Sequence, residues 1–156
     1  MQLNVSTCYA MQIILYLTRN KKVVSSTELA ESLKISQRYI VHIAGKLREG
    51  GLINSNPGMS GGYTINQEKS PFSVFDVVTL MEGEISIPEC IARLPGCGEP
   101  CKPANLHDAL NVLKDYADTY FQTVTFDKLA DMNSSGHLSD VIRLVETHVA
   151  AMKEQN

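Results

Sequence analysis

Apolar side chains in the first 50 residues recur with the spacing of short helices. Over residues 5–17 they return every three or four positions, which predicts one helix with a buried face. Residues 25–28 (Ser-Ser-Thr-Glu) have a capping-box pattern that predicts the start of a second helix, ending at residue 33. Ser36 is then expected to cap a third helix, which stops at the Gly-Gly pair of residues 50–51. This spacing predicts a helix–turn–helix with the third helix in the recognition position.

The period changes after residue 51. Residues 52–55 and 62–65 look like two short strands joined by a turn-rich segment, so a hairpin, or wing, should follow the recognition helix. Residues 72–81 predict another amphipathic helix, with Ser70 as its cap and Pro71 at its first position.

A long helix is predicted after a constrained loop. Residues 85–105 contain four prolines and three cysteines. Apolar residues at 106, 110, 113, 117, 120 and 124 then form a stripe on a helix of about 19 residues. Such a stripe outside a small winged domain predicts a partner that covers it. A last helix is expected over about 138–152.

The predicted fold class is therefore mainly α with a small β-hairpin wing. A winged helix–turn–helix domain is expected over residues 1–83, followed by a cysteine-rich sensor loop over 84–104. A long dimerisation helix over 105–125 and a C-terminal helical extension over 126–156 complete the prediction.

Charge divides the chain in a way that its net charge of −3 hides. The first 65 residues carry seven basic and three acidic side chains, and the remainder carries seven basic and fourteen acidic ones. A basic amino-terminal module suggests a polyanionic partner for that part alone. The expected partner is double-stranded DNA.

Candidate DNA contacts lie on and beside the predicted recognition helix. Gln and Arg near its start suit purine edges in the major groove, and Ser36 with the helix N-terminus can hold a phosphate. Ser60 in the wing turn can contact a phosphate as well. The predicted set is Ser36, Gln37, Arg38, His42, Lys46, Arg48 and Ser60.

Three cysteines fall within twelve residues, at Cys90, Cys97 and Cys101. No apolar run approaches the ~18 residues of a membrane span, and the start lacks the features of a signal peptide, so a cytoplasmic location without membrane contact is expected. In that compartment clustered cysteines indicate a metal or redox site rather than structural disulfides. Thiolates at this density suit zinc or an iron–sulfur cluster, and a fourth ligand must come from elsewhere.

Several motifs resemble the IscR/NsrR (Rrf-type) family of bacterial winged-helix regulators. The resemblance covers residues 1–130 and rests on Tyr9-Ala10, Thr27-x-Leu29-Ala30, Tyr39-Ile40, Lys46-Leu47-Arg48, Gly51-Leu52-Ile53, Ser55-x-x-Gly58-x-x-Gly61-Gly62-Tyr63 and Ser73-Val74-x-Asp76-Val77-Val78. It implies a homodimer that pairs through the long helix and binds a palindromic operator.

The same resemblance implies a 2Fe–2S or 4Fe–4S cluster held by the three loop cysteines. His107 matches the position of a histidine ligand in the cluster-assembly regulator. Cys8 matches the position where the nitric-oxide repressor places an aspartate from the other subunit. Either residue could therefore be the fourth ligand.

The sequence thus predicts a DNA-binding transcription regulator controlled by an iron–sulfur cluster or by the redox state of its cysteine loop. A metal-free thiol switch is one alternative, and a zinc-binding or electron-transfer protein without a DNA role is another. No nucleophile–base pair or nucleotide-binding loop is evident, so an enzyme is not expected.

Overall fold

The computed structural model describes residues 3–58, 60–84 and 104–132, with side chains in the long helix described from residue 109 onward. The cysteine loop and the predicted last helix over 138–152 lie outside these ranges. In the part that is described, no helix is both long enough and apolar enough to cross a membrane.

Three helices form the amino-terminal module, namely α1 (Val5–Asn20), α2 (Ser26–Leu33) and α3 (Gln37–Glu49). Ser25 caps α2 by accepting a 3.1 Å hydrogen bond from the backbone N–H of Glu28, as its capping-box pattern predicted. Ser36 occupies the N-cap position of α3, but its side chain makes no capping hydrogen bond. The predicted helix–turn–helix is confirmed.

The core of this module is built from the apolar faces that the sequence periodicity indicated. These faces meet because each helix is apolar on one side only, and burying that side removes it from water. Fully buried side chains come from all three helices: Ala10, Ile13, Ile14, Leu29, Ile40, Ile43 and Leu47.

A two-stranded antiparallel wing follows α3. Strand β1 (Ile53–Asn56) pairs with β2 (Gly62–Ile65), with Ile53 opposite Ile65. β1 begins one residue later than predicted because the Leu52 N–H bonds to the Leu47 carbonyl and closes the end of α3. Val24, before α2, pairs with Tyr63 through two backbone hydrogen bonds of 3.0 and 2.8 Å. The wing is therefore joined by its backbone to the helix–turn–helix.

The predicted start of the next helix was wrong. Helix α4 (Val74–Glu82) is capped by Ser73, not by Ser70, and Pro71 lies before it. Ser73 and Asp76 form a reciprocal capping box, with the Ser73 hydroxyl accepting from the Asp76 N–H and the Asp76 carboxylate accepting from the Ser73 N–H. Phe72 cannot join the helix because its carbonyl accepts from Phe126 N–H at 2.9 Å.

The long helix α5 (Ala104–Thr123) leads into the short helix α6 (Phe126–Asp131). The end of α5 is held to the start of α4 by the Val74 N–H, which donates to the Val124 carbonyl at 2.8 Å. Phe126 is buried, and Arg19 of α1 donates to the Leu129 carbonyl of α6. Since α5 is about 30 Å long and α4 only about 14 Å, α4 can cover no more than half of α5.

Candidate nucleic-acid interface and sensor residues

The outward face of α3 is cationic. Ile40, Ile43 and Leu47 face the core, which leaves the opposite side of the helix to solvent. The exposed residues there are Arg38, Val41, His42, Lys46, Arg48 and Glu49. Three of the predicted basic contacts therefore share one accessible surface of about the length of three or four base pairs.

The first turn of α3 forms a shallow pocket of about 320 Å³. It is lined by Ser36, Arg38, Tyr39 and His42. The pocket contains a free hydroxyl, a guanidinium and an imidazole beside the positive end of a helix dipole. These groups suit an oxyanion such as a backbone phosphate.

Gln37 is engaged inside the chain. Its side-chain amide donates to the Ser26 hydroxyl at 2.9 Å and to the Thr27 hydroxyl at 3.0 Å. Both hydroxyls belong to the first turn of α2, so Gln37 ties the two helices of the helix–turn–helix together. The role of Gln37 as a base contact stays a prediction. To contact a base, the Gln37 amide would have to give up its hydrogen bonds to Ser26 and Thr27.

Tyr39 connects the recognition helix to α1. Its hydroxyl lies 2.7 Å from the Ser6 hydroxyl, and its ring packs edge-on against Tyr9 with centroids 5.8 Å apart. On its other side Tyr39 stacks on His42, with centroids 6.2 Å apart and planes 16° apart. In the sequence Tyr39 stands out only as part of the Tyr39-Ile40 motif. Its position next to Tyr9 could have been found only from the packing.

The Glu82 carboxylate accepts hydrogen bonds from residues at the N-terminus of α1. Glu82, the last residue of α4, accepts from the Asn4 N–H at 2.7 Å, the Asn4 side-chain amide at 2.6 Å and the Thr7 hydroxyl at 2.5 Å. The bond from Thr7, followed by that from the Asn4 backbone, lowers the pKa of Glu82 below its ordinary value of 4.5. The end of α4 is thereby held against the first turn of α1.

Cys8 is the one cysteine in the part of the chain that the structure describes. Its thiol is free and exposed in the first part of α1, one residue after Thr7. His107 lies in the first turn of α5, where side chains are not described, and Cys90, Cys97 and Cys101 fall outside the described ranges. Among the residues whose side chains are placed, no three His, Cys, Asp or Glu are grouped closely enough to hold a metal ion. The ligand set stays a prediction.

The middle of α5 carries an exposed apolar surface. Leu113 is 62% exposed and Val112 is 69% exposed. The end of the same stripe is covered by the chain itself, because Val124 is buried and Tyr120 packs against the core. The predicted stripe is therefore divided into a covered C-terminal part and an uncovered middle.

Comparison with known proteins decides what kind of molecule this is. The model of the Rrf2 family, described as an iron-dependent transcriptional regulator, matches residues 3–132. The chain belongs to the Rrf2 family. The family resemblance read from the motifs is confirmed, and so is the mainly α fold with a hairpin wing.

Relatives of this Rrf2-family chain are named as transcriptional regulators. IscR of Escherichia coli is 25% identical over 146 residues, which cover 91% of this chain and 86% of IscR. NsrR of Shouchella clausii is 28% identical over 95 residues, covering 60% of this chain and 64% of NsrR. Among solved structures, CymR, the global cysteine regulator of Bacillus subtilis, has a TM-score of 0.69 at 22% identity, covering 83% of this chain and 96% of CymR. That likeness concerns the fold.

Proposed function

We propose that this Rrf2-family regulator binds a palindromic DNA duplex as a homodimer and that its cysteine loop sets the affinity. The observation that carries the proposal is the outward face of α3, where Arg38, Lys46 and Arg48 are exposed together above a buried core. A helix with this charge fits the major groove, where phosphates flank the base edges on both sides.

Different residues of this surface are assigned different tasks. Arg38, in the first turn of α3, is assigned to a purine edge. Ser36 and His42, which share a pocket with Arg38, are assigned to a backbone phosphate. Lys46 and Arg48 near the helix end add phosphate contacts, and exposed Ser60 does so from the wing.

Salt-dependent binding of the full-length protein to duplexes selected from a random library tests this assignment. Arg38→Ala should weaken binding of the selected duplex by about 1–3 kcal/mol and relax the base preference at one position. Lys46→Ala should weaken all duplexes alike and reduce the slope of log affinity against log salt by about one.

Lys128→Ala is the matched control, because it removes the same charge from another helix, α6. If Arg38→Ala behaved like Lys128→Ala in both affinity and preference, the assignment of α3 as the reading helix would be wrong.

Homodimerisation is assigned to α5. Leu113 and Val112 leave an apolar surface without cover from the described residues of the same chain. A second copy related by a two-fold axis would cover it with the same surface, and it would place two α3 helices for the two halves of a palindrome.

The sensor is assigned to the cysteine loop with an iron–sulfur cluster as cofactor. The donor chemistry fits, because Cys90, Cys97 and Cys101 supply three soft ligands and Cys8 offers an exposed thiol in α1. When bound, such a cluster supplies a redox-active iron centre. Cys8 or His107 would be the fourth ligand, and the free, exposed thiol favours Cys8.

An anaerobic ultraviolet–visible spectrum of the freshly purified protein tests the sensor. Cys8→Ser should alter the visible absorption while leaving a folded protein, because one small side chain replaces another. Bleaching by His107→Ala with a silent Cys8→Ser would assign the histidine instead.

Cys97→Ser is the reference for the loop. If it and both other variants left a colourless, metal-free protein unchanged, the cofactor assignment would fail and a direct thiol switch would remain.

A further inference from the structure

Gly45 stands in the middle of α3, and none of the described residues explains its presence there. Glycine in a helix interior lowers the folding equilibrium constant by about threefold to fivefold relative to alanine. Apart from its chain neighbours and the backbone of α3 itself, a Cβ atom built at Gly45 would meet no described atom within 4 Å, and the φ of Gly45 is not positive. Gly62 is the opposite case, since a Cβ there would collide with the Val24 carbonyl. No described residue of the chain thus requires a glycine at position 45.

Val41 lies beside Gly45 on the outward face. The two residues are four positions apart, so they are neighbours along one side of the helix. Val41 is 48% exposed, although burying it would be favourable. Arg38 and Arg48 lie above and below on the same face. Val41 and Gly45 thus form a smooth apolar strip, here called the Val41–Gly45 strip, within a cationic surface.

We propose that the Val41–Gly45 strip takes the 5-methyl group of a thymine in each half-site. This inference rests on the proposed DNA-binding function. The thymine methyl is the apolar group that base edges present in the major groove, and it matches an exposed valine flanked by cations. Gly45, without a side chain, allows the α3 backbone to come close to the bases at this point. Val41 makes the methyl contact.

Thymine-to-deoxyuridine replacement tests the contact with Val41, because it removes the methyl group alone. The probe is the duplex that the wild-type protein selects from a random library, with each thymine replaced in turn. Replacing one particular thymine in each half-site should lower the affinity of the wild-type protein by about fourfold, which is the loss expected for one methyl group. The Val41→Ala protein should bind the selected duplex and its deoxyuridine-containing counterpart with equal affinity.

Val23→Ala is the matched control, because Val23 is exposed to a similar degree, 42%, but lies in the turn before α2. The Val23→Ala protein should show the same loss of affinity as the wild type when thymine is replaced by deoxyuridine. A penalty of the same size in Val41→Ala as in the wild type, or no penalty at any thymine, would overturn the proposal. Selection of no duplex by the wild-type protein would overturn the DNA-binding function as well.

Gly45→Ala tests the close approach with two readouts. It should raise the melting temperature, because alanine favours the helix and its Cβ has open space. It should also weaken binding of the selected duplex by about tenfold or more, because the methyl group separates α3 from the bases. Unchanged binding would overturn the role of Gly45. A lowered melting temperature would do so too, since it would show that the fold itself requires the glycine.

Discussion

Replacing Leu110 and Leu113 together by lysine should convert the proposed dimer into a monomer. Leu113 is 62% exposed in the single chain, and Leu110 is half-buried on the same stripe of α5. Covering the exposed part of Leu113 contributes about 1–2 kcal/mol in each subunit, or about 2–4 kcal/mol for the symmetric pair. Losing this contribution raises the dimer dissociation constant by roughly 30- to 700-fold.

The lysines add to this effect because like charges then face each other across the two-fold axis. Sedimentation velocity between micromolar and nanomolar protein measures the dissociation constant directly. Circular dichroism should show an unchanged helix content, because lysine is a good helix former and neither leucine belongs to the buried core. Binding of a palindrome should fall with the dimer, while the weak binding of a half-site remains.

Val23→Lys provides the matched control, since it introduces a lysine at an exposed valine outside α5. It should leave the dissociation constant unchanged. A Leu110→Lys, Leu113→Lys protein that still sedimented as a dimer at nanomolar concentration would refute the assignment of α5, and another surface would have to hold the two chains together.

Two further predictions concern the contacts that hold the helices in place. Because Glu82 has a lowered pKa in the folded protein, its contribution to stability is present above the ordinary value of 4.5 and is lost as pH falls through the lower folded value. The melting temperature of Glu82→Gln should therefore lie below that of the wild type at pH 7, and the two should converge in acid; parallel curves would contradict this. Ser73→Ala should cost about 1 kcal/mol in urea unfolding because the capping box with Asp76 is lost, whereas Ser70→Ala should be close to neutral.

The sequence predicted the elements that depend on neighbouring residues. The cap of α2 was found because Ser25 and Glu28 are three positions apart, and the apolar period of α3 identified its buried side. The start of α4 was misplaced because Ser70 and Ser73 are both plausible caps. The choice between them depends on Phe72 and Val74 pairing with residues about 50 positions away, which no local pattern shows.

The candidate site divides in the same way. Exposure of Arg38, Lys46 and Arg48 followed from the helix period. The hydrogen bonds from Gln37 to α2 could not be predicted from the helix period, because the Ser26 and Thr27 hydroxyls come near Gln37 only when the two helices pack. Gly45 was overlooked because an isolated glycine in a helical pattern carries no signal until the space around it is known. The ligands of the cysteine loop and the domain boundaries remain predictions.

The backbone pairing of Val24 with Tyr63 has a consequence for how a duplex would be accommodated. The two hydrogen bonds join the wing to the segment between α1 and α2, and the absence of a side chain at Gly62 lets the two backbones approach. The span between α3 and the wing is therefore nearly constant. In the proposed complex the DNA has to adapt to this span, so operators with easily bent pyrimidine–purine steps should be favoured even at positions that no side chain touches.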